Sequence, residues 1–67
     1  MNMHQGVVRW YNRAKGYGFI KLDEGQDLFV HHSFLEDGVV IKNGDRVNFE
    51  ICNGEKGLRA NNVKLLK

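Results

Sequence analysis

Proline is absent from this 67-residue chain, and cysteine occurs once. A lone Cys52 excludes an internal disulfide, so the fold must hold without covalent staples. A small chain of that kind is expected in the cytoplasm rather than in an oxidising compartment. Met1 to Gly6 carries no apolar run and no signal-peptide pattern. No stretch approaches the roughly 18 apolar residues of a spanning helix, so no membrane partner is expected. Helical periodicity is missing as well, since no window repeats its apolar residues at a helical spacing over three turns. The length leaves room for one domain, 1–67. Such a domain buries only about 60% of the surface its unfolded chain exposes, too little to enclose a deep catalytic pocket.

Acid is missing from both ends. Residues 1–21 carry Arg9, Arg13, Lys15 and Lys21, and residues 56–67 carry Lys56, Arg59, Lys64 and Lys67, with no Asp or Glu in either segment. All 8 acids fall between, against Lys42 and Arg46. If the two ends are neighbours in space, one face of the protein is basic and the opposite side acidic.

What the chain does have is 8 glycines and short apolar runs separated by Gly, Asn and Asp. Turn signals at roughly 8–12 residue spacing suggest a small barrel or sandwich. Strands are predicted at 6–12, 17–22, 27–31, 46–52 and 58–65. One helical turn is predicted at 33–36 with Ser33 as its cap, and Lys42-Asn43-Gly44-Asp45 is the clearest turn. Five strands in so short a chain favour an all-β closed or nearly closed barrel, because closure removes exposed sheet edges.

The second and third strands read Tyr17-Gly18-Phe19-Ile20 and Asp27-Leu28-Phe29-Val30-His31. Alternation places Ile20, Leu28 and Val30 on one face and Tyr17, Phe19, Phe29 and His31 on the other. A small barrel has one interior. Ile, Leu and Val fill it better than two Phe, a Tyr and a His, so the rings are expected outside. A contiguous exposed aromatic patch marks a binding surface. Gly16 and Gly18 bracket Tyr17 and would leave room for something flat beside the rings. Arg9 precedes Trp10 and Tyr11, and Lys15 precedes Gly16-Tyr17, so cations interleave with rings. Single-stranded nucleic acid needs that combination: bases stack on rings while Lys and Arg neutralise phosphates. Each stack contributes about 1–3 kcal/mol and tolerates any base. Duplex DNA fits less well, because its bases are already stacked and no helix here is long enough to read a major groove.

These residues resemble a known family. Lys15-Gly16-Tyr17-Gly18-Phe19-Ile20 and Leu28-Phe29-Val30-His31-His32 are similar to the two ribonucleoprotein motifs of cold-shock domains. Gly6-Val7-Val8-Arg9-Trp10-Tyr11-Asn12 resembles the opening strand, and Gly54-Glu55-Lys56-Gly57 with Ala60-Asn61-Asn62-Val63 resembles the tail. The resemblance covers about residues 5 to 65. It implies a five-stranded antiparallel barrel of the oligonucleotide-binding (OB) fold, binding single-stranded RNA and DNA, with bacterial members acting as RNA chaperones. By position it implies stacking by Trp10, Tyr17, Phe19, Phe29, His31 and His32. Arg9, Lys15, Lys56 and Arg59 would line the strand, and Asp27 would lie near the bases. It also implies an interior of Val8, Ile20, Leu28, Val30, Leu35, Val47, Ile51 and Val63.

The chain departs from the family pattern in places. His32 stands where phenylalanine is usual; a neutral ring still stacks, and a protonated one would add a phosphate contact. The segment between Ser33 and Gly44 is about two residues short and lacks the usual loop aromatic, with Val39 or Val40 near its place. Leu58 replaces a common proline. Simple alternation gives Trp10 the parity of inward Val8, and a bulge or a strong strand bend would resolve that conflict.

No cofactor, metal or catalytic function is expected. His4, His31, His32 and Cys52 match no zinc spacing, and adjacent histidines on a strand point to opposite faces. Ser33 and Cys52 lack an orienting acid and an oxyanion site. The glycines around Tyr17 do not form a phosphate loop, since no helix follows them. The rival reading is a barrel that binds a protein or peptide through its aromatic face. A monomer is expected, and the loop after Leu35 is long enough to serve as a hinge for a swapped dimer.

Overall fold

A computed structural model describes residues 3–36, 38–55 and 57–66. Its strands are β1 (His4–Asn12), β2 (Tyr17–Leu22), β3 (Asp27–His31), β4 (Arg46–Gly54) and β5 (Gly57–Leu65). They close into a barrel in the order β1-β2-β3-β5-β4. Four pairings are antiparallel, and the closing contact between β3 and β5 is parallel through Phe29 and Arg59. A bridge from Leu35 to Val63 extends that seam. The loop before β4 caps the other side: Gly44 N–H donates to the Val8 carbonyl, and Val8 N–H donates to the Asp45 carbonyl. Gly44 takes φ +90°, a conformation that favours glycine in the turn Lys42 to Asp45.

Inside lie Val8, Ile20, Leu22, Leu28, Val30, Ile41, Val47, Phe49, Ala60 and Val63. No polar side chain among the described residues is buried with them. The interior is thus an apolar plug, full before the outer aromatics are counted. Leu35 and Ile51, expected inside, are half-buried and pack against this core from its margin. Phe49 is the largest buried side chain. It shares the parity of Val47 on β4, a signal present in the sequence. Ile41 lies in a loop, where no periodicity marks it.

Two irregularities break the alternation of the strands. Val8 faces Ile20 and Trp10 faces Phe19, so Arg9 is an extra residue on β1. On β5, Asn48 faces Lys64 while Glu50 faces Asn61, which leaves Asn62 and Val63 opposite Phe49. Asn62 adopts φ 54°, a left-handed conformation that asparagine tolerates better than most residues. These are β-bulges, and a bulge re-aims the side chains that follow it.

The helical turn begins earlier than expected, as a 3-10 turn at His32–Phe34. Its cap is His31 rather than Ser33: His31 Nδ1 accepts from Ser33 N–H at 3.2 Å and lies 2.9 Å from Ser33 Oγ. The two basic ends of the chain are not adjacent strands, because β1 pairs with β2 and β4 but not with β5. They instead flank the β2–β3 hairpin, one on each side. Basic and acidic sides are not cleanly separated. Ion pairs join Arg9 to Asp27, Arg46 to Asp23 and Lys64 to Glu36 at 3.0–3.5 Å.

Candidate nucleic-acid interface

β2 and β3 pair without interruption from Lys21 opposite Asp27 to Tyr17 opposite His31. Strict alternation therefore holds. Ile20, Leu28 and Val30 turn inward, and Tyr17, Phe19, Phe29 and His31 share the outer face. The bulge at Arg9 turns Trp10 outward to join them. Trp10 is 40% exposed, and its ring centroid lies 5.6 Å from Phe19 and 5.8 Å from Tyr17. Phe29, 37% exposed, lies 5.9 Å from Phe19, 6.1 Å from Tyr17 and 6.4 Å from His31. The rings form one unbroken array across three strands.

His32 continues the array. Its ring centroid is 4.3 Å from that of His31. Adjacent strand residues would point apart, but His32 has already left the strand for the 3-10 turn, so the two rings come together. Gly16 makes this possible. At φ +78° it places its carbonyl against His32 N–H, and a Cβ there would lie 2.5 Å from the His32 ring. The space beside Gly16 is thus filled by His32. The space beside Gly18 is filled by the β1 backbone, since a Cβ there would collide with the Trp10 carbonyl. Neither glycine leaves a slot for a ligand. Both allow the rings to pack where they do.

The cations stand around the array. Arg9 is exposed at its β1 border and paired with Asp27, Nη1 lying 3.3 Å from Oδ2. Between exposed groups such a pair contributes about 0–1 kcal/mol, so Arg9 exchanges partners readily. Lys15 is exposed in the loop before β2, its backbone N–H held by Asn12 Oδ1 at 2.9 Å. Arg59 borders the array on β5, beside Phe29. Lys56 lies outside the described residues.

Tyr11 stands apart. It is half-buried against the core and lines a pocket with Arg13, His32, Leu35 and Val39. Burial raises the Tyr11 phenol above its ordinary value of 10.0, and the Arg13 charge partly lowers it again. Of the shortened loop, Val39 packs against the core and Val40 is exposed.

One aromatic was not anticipated. Phe34 ends the 3-10 turn with its ring 6.2 Å from His31 and the Arg59 guanidinium 4.0 Å above its face. The signal for it was simple adjacency: Phe34 follows the second motif by two residues.

Comparisons with known proteins agree with the fold. The family described as the 'Cold-shock' DNA-binding domain matches residues 4–66. The chain is 48% identical over 65 residues to the cold shock-like protein CspA of Stigmatella aurantiaca, covering 92% of this chain and 96% of that protein. It is 43% identical over 68 residues to the major cold shock protein CspA of Pseudomonas aeruginosa, covering 97% of each. Among solved structures, drosophila Unr CSD456 superposes with a TM-score of 0.81 at 28% identity, over 98% of this chain and 27% of that one.

Proposed function

The chain belongs to the cold-shock domain family of nucleic-acid-binding, non-enzymatic proteins, and from that premise we propose that it binds single-stranded RNA and DNA on the ring array and acts as an RNA chaperone. The observation that carries this reading is the array itself: contiguous exposed and half-buried rings outside a barrel whose interior is already filled. Trp10, Tyr17, Phe19, Phe29, His31 and His32 stack bases. Lys15 and, after leaving Asp27, Arg9 meet phosphates, and Arg59 and Lys56 line the strand. Asp27, released from Arg9, accepts hydrogen bonds from base edges. Roughly a half-dozen nucleotides fit one such barrel.

Stacking gives affinity without much base preference, because every base has a flat face. A duplex offers no free faces, so binding draws weakly paired RNA toward its open form. Weak, rapidly reversible binding by a cytoplasmic monomer keeps RNA single-stranded, and effects on transcription and translation follow from that.

A titration of Trp10 fluorescence tests the proposal. Short oligothymidine should quench it, the matching duplex should do so far less, and affinity should fall steeply with salt as phosphate contacts are screened. Affinity that ignores salt would point instead to a protein or peptide groove. Absence of binding to oligothymidine in a parallel label-based assay would overturn the proposal.

A further inference from the structure

Beyond His31 the array runs into a pocket of about 380 Å³ lined by Phe29, His31, Phe34, Leu58, Arg59 and Glu55. This volume falls in the range of about 300–1,000 Å³ typical of small-ligand clefts. Four of these residues are apolar or aromatic, and the other two carry charges of opposite sign.

Arg59 is held unusually well for a surface arginine. Its guanidinium lies over the Phe34 ring at 4.0 Å, a cation–π arrangement. Its Nε donates to Cys52 Sγ at 3.3 Å across the β4–β5 pair. Gly54 leaves space for its stem, since a Cβ there would lie 3.2 Å from Arg59 Cδ. These contacts use one face and the Nε of the guanidinium. Among the described residues the Nη groups have no carboxylate partner, although Glu55 lines the same pocket. A fixed fork of two donors and a carboxylate thus share one cavity without neutralising each other.

We propose that this pocket is a guanine subsite, which makes one position of an otherwise sequence-tolerant strand base-specific. The inference rests on the strand-binding reading above. Guanine presents two adjacent acceptors, O6 and N7, to which arginine donates bidentately. Its Watson–Crick edge presents two donors, N1–H and N2–H, of the kind a carboxylate accepts. Adenine puts a donor where O6 stands, and the pyrimidines lack the adjacent acceptor pair. A phosphate suits the pocket less well, because Glu55 repels it and the apolar walls of Phe34 and Leu58 offer it nothing. Phe34 and Cys52 act as positioning residues for the fork.

The test is a guanine scan. One guanine is moved through a thymidine heptamer, and binding of each oligonucleotide to the parent protein is measured. A single register should bind about 5- to 160-fold more tightly than the all-thymidine strand, the range for one bidentate base contact. Replacing that guanine by 7-deazaguanine, which lacks N7, should remove most of the gain. In R59K the ratio of guanine to thymidine affinities should fall to near one, whatever the absolute affinity. A flat scan with normal oligothymidine binding overturns this inference alone, and so does full retention of the gain with 7-deazaguanine. An unchanged ratio in R59K overturns it too, with uniformly weaker binding and a shallower salt slope marking Arg59 as a phosphate contact. Failure of oligothymidine itself to bind overturns both readings.

Discussion

Substituting Phe29 by alanine separates binding from folding. Phe29 is the junction of the array, with Tyr17, Phe19 and His31 at 5.9–6.4 Å around it. Removing one stacking ring costs about 1–3 kcal/mol of binding, which corresponds to a Kd raised about 5- to 160-fold. The fold loses less. An aromatic pair contributes about 0.5–1.5 kcal/mol beyond area burial, and the ring is more than a third exposed with the core intact beneath it. A domain of this length has a total stability of about 3–10 kcal/mol, so F29A should stay folded. Oligothymidine titration followed through Trp10, beside urea melts of the free protein, checks both quantities. If reversible unfolding caused the loss, the apparent Kd would rise only by the inverse of the folded fraction that the urea melts give. If stacking is the cause, Kd rises although the melts show the free protein folded. A folded F29A with a Kd within about twofold of the parent, a margin well below one lost stack, would refute the platform assignment.

Phe49, 0% exposed, should behave in the opposite way. F49A is expected to lose about 3–5 kcal/mol of stability, so its urea midpoint should collapse while any folded fraction binds like the parent. The raised phenol of Tyr11 predicts an alkaline effect. The unfolded chain ionises Tyr11 near pH 10.0 while the folded chain still holds its proton, so the stability contribution present below that pH is lost as pH rises through the folded value. Urea melts at about pH 8 and about pH 11 should therefore show Y11F losing less stability than the parent. Equal losses would mean that Tyr11 ionises alike in both states.

The hairpin of β2 and β3 was legible in the sequence because its pairing is regular. With no extra residue between Tyr17 and Leu22 or between Asp27 and His31, a period of two assigns every side chain to its face. The same rule failed where the backbone leaves that period. His31 and His32 met because one ends a strand and the other begins a turn. Ile41 reached the core from a loop. The glycines of the first motif read as space for a ligand, whereas tertiary packing had filled that space with the His32 ring and the β1 backbone.

The two bulges have a common consequence. Counted from buried Val8, strict alternation would point Trp10 inward. Counted back from buried Val63, it would point Arg59 inward. Arg9 and Asn62 each insert one residue, and each insertion reverses the parity. Trp10 then emerges on the β1 flank of the hairpin, and Arg59 emerges on its β5 flank beside Phe29. A regular barrel with this sequence would bury an indole and a guanidinium in an interior that holds neither. It would also leave the exposed array without its first ring and without its best-held cation. Interior packing and the outer surface therefore require the same two irregularities, so the residues that set them are as much a part of the site as the rings.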